Sequence, residues 1–376
     1  MKKQVKLLAV LSSAALSCAV SAGGLDRSGH PYENIFDDGS HVSVSMAKVK
    51  PSGRDGTAVT GTEVKDVLRP FNMVVMGAKG EINNKVDCML QYDHSPYGFD
   101  GDYKGQLAGV NGGPEMTTVD SQEFMALCSA AVVDDGEHKV KLLVGASHKE
   151  FDGTLTGQAE VAPGVVVPVA TSLDSDADVA ANVGIAFEKK STKTRASAMY
   201  FGETKHDIEG TLGPNPVVSK AVMPRSIRLD VTSGLSKKHQ LAGSAGLMRT
   251  KWSKVPNLAL NVAAAPTVTA ATLDLFPNDV TTYYVGLGKK LNDKVSIGGR
   301  YFWENESQPD TNRSAVDERK GLVLGAKVKM GPVDVSPRMT YIKLGAHDTG
   351  GPNTLPVSFE KSKAIGAGVD LKYNIK

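Results

Sequence analysis

Apolar and polar positions alternate with a period of two through most of this chain. Over residues 281–303, Tyr283, Val285 and Leu287 alternate with Thr282, Tyr284, Gly286 and Gly288. Past residues 291–293 the alternation resumes, with Val295, Ile297, Tyr301 and Trp303 set against Ser296, Gly298, Arg300 and Phe302. A period of two places successive side chains on opposite faces of a strand. Asn292 and Asp293 between the runs read as a tight turn, so the stretch predicts one antiparallel hairpin. One face is aliphatic, with aromatic rings toward the end away from the turn. The other is small or polar and carries an arginine. A soluble sheet would bury the aliphatic face in a core; a membrane barrel would turn it to lipid and keep the polar face in the lumen.

The same pattern recurs in about fourteen segments: 41–50, 67–81, 85–93, 117–132, 138–152, 175–189, 193–209, 222–236, 239–251, 279–290, 294–305, 317–330, 332–345 and 357–374. Each can cross an outer membrane, which takes about 9–11 tilted residues. The connections separate the two readings. Tight ones at 83–84, 133–137, 190–192, 237–238, 291–293 and 331 alternate strictly with long ones at 51–66, 94–116, 153–174, 210–221, 252–278, 306–316 and 346–356. A soluble sandwich has no reason to sort its loops this way. An up-and-down barrel does, with short periplasmic turns and long external loops. The expected fold is therefore an all-β transmembrane antiparallel barrel of about fourteen strands. Lipid-facing sets include Val42, Val44 and Met46; Leu241, Ala245 and Leu247; Leu322 and Leu324; and Val369, Leu371 and Tyr373. Arg249, Arg300, Lys327, Lys329, Asp370 and Lys372 are assigned to the lumen, because a charge at the lipid midplane costs about 2–4 kcal/mol.

The N-terminus adds a destination. Lys2, Lys3 and Lys6 precede an apolar run at 7–16, and Val20, Ser21 and Ala22 supply a small-residue cleavage site, so residues 1–22 read as a secretory signal. No later run of about 18 apolar residues exists, and an exported chain that spans a membrane without such a run must do so as a closed barrel. The expected location is the outer membrane of a Gram-negative bacterium. Membrane lipid and the barrel assembly machinery are the expected partners. Basic residues (43) nearly balance acidic ones (41) among 376, which gives no basis for binding nucleic acid. Cys88 and Cys128 read as small apolar residues facing lipid, or as a bonded pair if their strands are neighbours.

Three long connections are more apolar than water-facing loops should be. Residues 153–174 hold Leu155, Val161, Val165, Val166, Val167, Val169 and Leu173; 210–221 add Leu212, Val217 and Val218; 252–278 add Leu258, Leu260, Val262, Val268 and Leu273. Either they pack on one another as a cap, or they form a groove for hydrophobic small molecules. Residues 23–39 lack periodicity yet carry Tyr32, Ile35 and Phe36.

Several stretches resemble outer-membrane hydrophobic-compound transporters of the FadL/TodX type. They are Gly23, Gly24, Leu25, Asp26, Arg27 and Ser28 with Ile35, Phe36, Asp37, Asp38 and Gly39; Gln91, Tyr92, Asp93, His94, Ser95, Pro96, Tyr97 and Gly98; Met223, Pro224, Arg225, Ser226, Ile227, Arg228 and Leu229; Lys251, Trp252, Ser253 and Lys254; and the run 283–290. They span nearly the whole chain, in the order of that family. The resemblance implies a fourteen-stranded barrel at 40–376 with residues 23–39 folded inward as a plug, including Asn34, Ile35, Phe36, Asp37 and Asp38. It also implies passive uptake of long-chain fatty acids or aromatic hydrocarbons captured by the external loops. The chain departs from the pattern at its end, where Tyr373, Asn374, Ile375 and Lys376 replace the usual terminal aromatic.

Candidate ligand contacts are Phe36, Phe99 and Tyr103 for an apolar tail, Val165, Val166, Val167 and Leu212 for capture, and Arg249 and Arg300 for a carboxylate, which a guanidinium can hold in bidentate fashion. No enzyme, cofactor or metal site is expected. The eight histidines are scattered, and Gly243, Ser244, Ala245 and Gly246 do not match a nucleophile elbow. A water-filled general porin and a surface adhesin or receptor barrel are the alternative functions.

Overall fold

Fourteen antiparallel strands pair in chain order and close into one barrel. They are β1 His41–Ser52, β2 Phe71–Glu81, β3 Val86–His94, β4 Pro114–Asp134, β5 His138–Ala162, β6 Asp178–Lys189, β7 Thr194–Phe201, β8 Ser226–Ser236, β9 Leu241–Thr250, β10 Val280–Lys290, β11 Val295–Glu304, β12 Arg319–Met330, β13 Val333–Leu344 and β14 Ser362–Asn374. Closure is made by β1 on β14, with His41 opposite Asn374 and Ser52 opposite Lys363. The structure, a computed structural model, describes residues 27, 30–111, 113–162, 164–212, 215–255, 258–262, 265–273, 278–305, 317–349 and 355–375. The expected signal at 1–22 lies outside them.

The parity expected from the sequence holds around most of the wall. Val42, Met46, Leu322, Leu324, Leu371 and Tyr373 stand exposed on the outside, while Arg300, Lys327 and Lys372 are buried on the inside. Two strand glycines mark where an inward ring crosses its neighbour. Gly246 lies opposite Tyr284, and Gly321 opposite Phe302. A Cβ on Gly321 would come within 2.7 Å of the Phe302 ring, and one on Gly246 would strike the Tyr284 phenol. These glycines are notches that let large rings lie flat on the wall.

Arg249 breaks the expected parity. It shares a face with Leu247 and Ala245, so it points outward, with 53% of its side chain exposed. Its guanidinium reaches the Asp279 carboxylate at 3.0 Å, which also accepts Lys251 at 2.7 Å and Ser253 at 2.7 Å. Position 249 is next to the last residue of its strand at the external end, where an acid outside the lumen can pair with an outward charge. The cluster clamps the turn that buries Trp252. Burial pushes the Asp279 carboxyl up, but the hydrogen bonds from Lys251, Ser253 and Arg249 outweigh it and hold the group down at about 2.

The long connections are more ordered than loops. The expected strand 193–209 ends its run in the wall at Phe201, and Thr204–Leu212 leaves as a separate strand. That strand pairs with Val165–Ser175 on one side and Asn215–Met223 on the other, extending β5 into a sheet above the wall. Gly56–Ala58, Glu63–Val64, His347–Asp348 and Val357–Phe359 make a second, four-stranded sheet that joins the first and last external loops. Arg54 fastens that junction with a hydrogen bond to the Gly345 carbonyl at 2.6 Å, and burial pulls its guanidinium down to about 10.

Cys88 and Cys128 are directly opposed on β3 and β4 and form a disulfide, with Cα atoms 4.0 Å apart. Both residues share the outward parity of Leu90 and Phe124, so the two expectations for them hold together.

Two outcomes are expected. Replacing both cysteines by serine should lower denaturant stability by about 4 kcal/mol, the chain-entropy cost of releasing a loop of this size; an unchanged transition midpoint would exclude a structural staple. In a Trp303→Phe variant, Trp252 is the single indole reporter. The Asp279 carboxyl is depressed in the folded chain, so its contribution is present above pH ~4 and lost as pH falls through about 2. Trp252 emission should stay at the buried-indole maximum down to pH ~4 and move to the red below it, with far-UV circular dichroism unchanged. Asp279→Asn should abolish that pH dependence.

Candidate functional site

The inward faces of the wall strands carry more basic groups than their own acids neutralise locally. Lys79, Lys141, Arg195, Arg228, Arg300, Lys327 and Lys372 are all buried there. The acidic stretch 33–38 lies among them. Near the turn end of the barrel, the Asp37 carboxylate accepts Lys372 at 2.8 Å and its carbonyl accepts Lys79 at 2.6 Å. Lys79 also meets Asp87 at 3.0 Å. Four residues earlier in the segment, Glu33 pairs with Arg228, which also reaches Asp230 at 3.2 Å. The Tyr32 hydroxyl donates to Asp230 at 2.7 Å and lies 3.0 Å from Ser197. Removing one partner of a buried pair of this kind leaves a charge without compensation and costs about 3–5 kcal/mol. The pairs therefore fix the segment in register with the wall.

Apolar packing adds to this hold. Tyr32 and Ile35 are fully buried among Met89, Met125, Leu127, Leu143, Met199 and Phe201. The Glu33–Phe36 turn is a single 3-10 turn, too short to stand without such contacts. Phe36 lies under the Arg195 guanidinium at 4.3 Å. Further up, His30 stacks on Phe201 at 4.5 Å and meets the Tyr97 hydroxyl at 2.8 Å. Arg27 takes the segment to the external end. Its guanidinium donates to Ser95 at 2.5 Å and to Asp100 at 2.7 Å, and lies 4.2 Å over the Phe71 ring. Residues 30–39 and Arg27 thus run the height of the lumen.

At the external mouth, inward residues of the wall meet the loop cap in one apolar cluster. Val49, Phe302, Val323, Ile342 and Leu344 pack with Leu68, Phe99, Tyr103, Leu107, Leu355, Val357 and Phe359. A cavity of about 60 Å³ opens beside it, lined by Arg27, Leu68, Phe71, Phe99, Arg319, Ile342 and Leu344. An apolar cavity of about 150 Å³ accepts benzene, so this space is too small for an aromatic ring or an alkyl chain. A second apolar cluster at the mouth holds Tyr97, Met223, Met248, Trp252 and Val280.

The expected contact residues scatter across this geometry. Phe99 reaches the mouth cavity, and Tyr103 is buried against Phe359. Leu212 packs with Leu155, Leu173, Ile208 and Val217. Val165 stands exposed at the far tip of the extended sheet and Val166 is half-buried, while the side chain of Val167 lies outside the described part. Leu212 pairs with Thr171, six residues along the strand from Val165, so these residues do not share one groove. Asn34 borders a small cavity with Lys327 and Asp370, and Asp38 is exposed. Arg300 is buried in the lumen at 2% exposure, 3.8 Å over the Tyr284 ring, and its Nε has no hydrogen-bond partner. The neighbouring acids Glu33 and Asp230 are engaged by Arg228. Arg249 is outside the lumen altogether.

Sequence reasoning singled out Tyr32 with Ile35 and Phe36, but missed Arg27, His30, Glu33, Arg228 and Asp230 as the contacts that seat the segment. A signal was present: an acidic stretch at 33–38 in a chain whose inward positions are basic. Among the described residues, no three or more His, Cys, Asp or Glu side chains gather as for a metal ion.

No family model matches the chain, and neither does any curated protein. Solved structures do. A FadL homologue from Pseudomonas aeruginosa superposes with a TM-score of 0.71, covering 96% of this chain and 97% of that one at 13% identity. The toluene transporter TodX from Pseudomonas putida gives 0.66 over 98% of both chains at 13% identity. The toluene transporter TbuX from Ralstonia pickettii gives 0.63 over 90% of both at 12% identity. In fold, over nearly its whole length, this chain is similar to the FadL homologue and to these two toluene transporters.

Proposed function

We propose that the protein is an outer-membrane channel for passive uptake of hydrophobic small molecules, with residues 23–39 acting as its plug. The carrying observation is the filled lumen: the described part of the segment is held there by ion pairs and apolar contacts, beneath an apolar mouth. An aqueous general porin needs an open polar bore. Tyr32, Ile35 and the wall residues packed on them leave no such bore among the described residues, and this favours a gated path for apolar solutes. The shared fold with proteins named as a FadL homologue and as toluene transporters agrees with this reading.

The path runs from the outer mouth inward. A ligand is first held by apolar loop side chains, with Phe99 at the mouth cavity and Leu212, Val165, Val166 and Val167 on the extended sheet as capture residues. The small cavity beside Phe99 must widen before an alkyl chain enters, so passage requires the segment or the cap to shift. Arg300 supports a carboxylate-bearing ligand such as a fatty acid, because a buried guanidinium with an unfilled donor gains from an anion. An aromatic hydrocarbon would use the apolar contacts alone.

Proteoliposomes with the full-length protein should take up labelled oleate or toluene faster than empty ones, without admitting a hydrophilic sugar. Equal uptake with and without protein for every apolar solute would remove the proposal. Arg300→Gln should slow oleate uptake about tenfold, the size of one charge-assisted hydrogen bond, while leaving toluene uptake near its original rate. Deleting residues 23–39 should raise sugar permeability in a barrel that still folds; an unchanged rate would show that the segment seals nothing.

A further inference from the structure

The outer surface of the wall carries a rung of lysines at its external edge. Lys320 on β12 lies directly opposite Lys343 on β13, and Lys343 directly opposite Lys363 on β14. All three are exposed on the outward face. Adjacent strands are about 5 Å apart, so the rung covers roughly 10 Å. Like charges directly opposed across strands destabilise a sheet. Among the described residues only Lys320 has an acidic partner, Glu318 at 3.1 Å.

The next outward rung toward the turn end is apolar. Tyr301, Leu322, Tyr341 and Ile365 follow one another in register across β11 to β14, all exposed. Lys50 on β1 continues the set beside Ile365. On the lysine rung itself, Trp303 is directly opposite Lys320 and stacks on Tyr283 at 5.5 Å. On β12 to β14 the outward face therefore changes from apolar to lysine over one rung, while on β1 the exposed Lys48 and Lys50 extend the basic edge lower; the lysines stand at headgroup depth, where aromatic rings also settle.

We infer that Lys320, Lys343 and Lys363, flanked by Lys50 and Trp303, form a binding surface for a phosphate-bearing headgroup of an outer-leaflet lipid. An anion bridging the rung neutralises three amines that otherwise repel one another. The lipid's acyl chains lie along Leu322, Tyr341 and Ile365 just below. Charge and depth select a lipid over a soluble anion, because only a lipid satisfies both rungs at once. The inference rests on the outer wall and not on what passes through the barrel.

The test is native mass spectrometry of the full-length protein in a zwitterionic detergent, titrated with bis-phosphorylated lipid A. Each lysine near the surface contributes about fivefold in affinity, so Lys320→Gln/Lys343→Gln/Lys363→Gln should bind about 100-fold more weakly. Fully dephosphorylated lipid A should bind the original protein as weakly as the phosphorylated form binds the variant. Inorganic phosphate at 10 mM should not displace the bound lipid. Lys237→Gln/Lys238→Gln, at a turn of the opposite end, should bind normally. Without lipid A the triple variant should be at least as heat-stable as the original, since its repulsion is relieved. Unchanged affinity in the triple variant, or equal binding of the two lipid forms, would overturn the inference. Displacement by inorganic phosphate would overturn the choice of a lipid. Should the triple variant fail to fold, the comparison of the two lipids on the original protein decides alone.

Discussion

Inside hydrocarbon a peptide group has no water to bond, and each unsatisfied group costs several kcal/mol. Everything else in this structure follows from that constraint. A sheet with two free edges cannot sit in a bilayer, so β1 must find β14 and the ring must close. Once it closes, strand parity becomes a sorting rule, and a one-residue slip would turn a whole strand inside out. Outward positions become apolar and inward positions are left to carry the chain's charges.

Those inward charges then need partners, because the lumen excludes most water once it is occupied. The wall meets part of the need itself, as Lys327 does with Asp334 at 3.0 Å. The N-terminal segment meets much of the rest, through Asp37 with Lys372 and Glu33 with Arg228. Polar contacts of this kind specify position more sharply than apolar ones do, since a displaced carboxylate strands its partner.

The barrel was legible in the sequence because its rule is simple: two-residue alternation, short turns on one side and long connections on the other. Lipid asks only that outward residues be apolar, which is why a common fold persists at 13% identity while sequence comparisons return nothing. The rule fails where hydrocarbon ends. Arg249 is charged, which points inward by the rule, but it sits near the external end of its strand with Asp279 as a partner, where parity no longer predicts charge. The loop strands are hard to separate on other grounds. Thr204–Leu212 alternates as the wall does and follows β7 closely in sequence, so only its pairing with Val165–Ser175 and Asn215–Met223 sets it apart. The lumen contacts were hidden for another reason. Tyr32 and Asp230 are 198 residues apart, and no local pattern joins them.

The disulfide between β3 and β4 bears on how the mouth can move. The connection between these strands carries Ser95 and Asp100, which grip Arg27. Because the sulfurs lock the two strands at Cys88 and Cys128, their base cannot slide in shear. Any excursion of that connection must be a flexing of its upper part, pivoting above a fixed fulcrum in the wall. The reach of any such flexing would be set by the length of chain above the crosslink, as a cantilever's reach is set by where it is clamped.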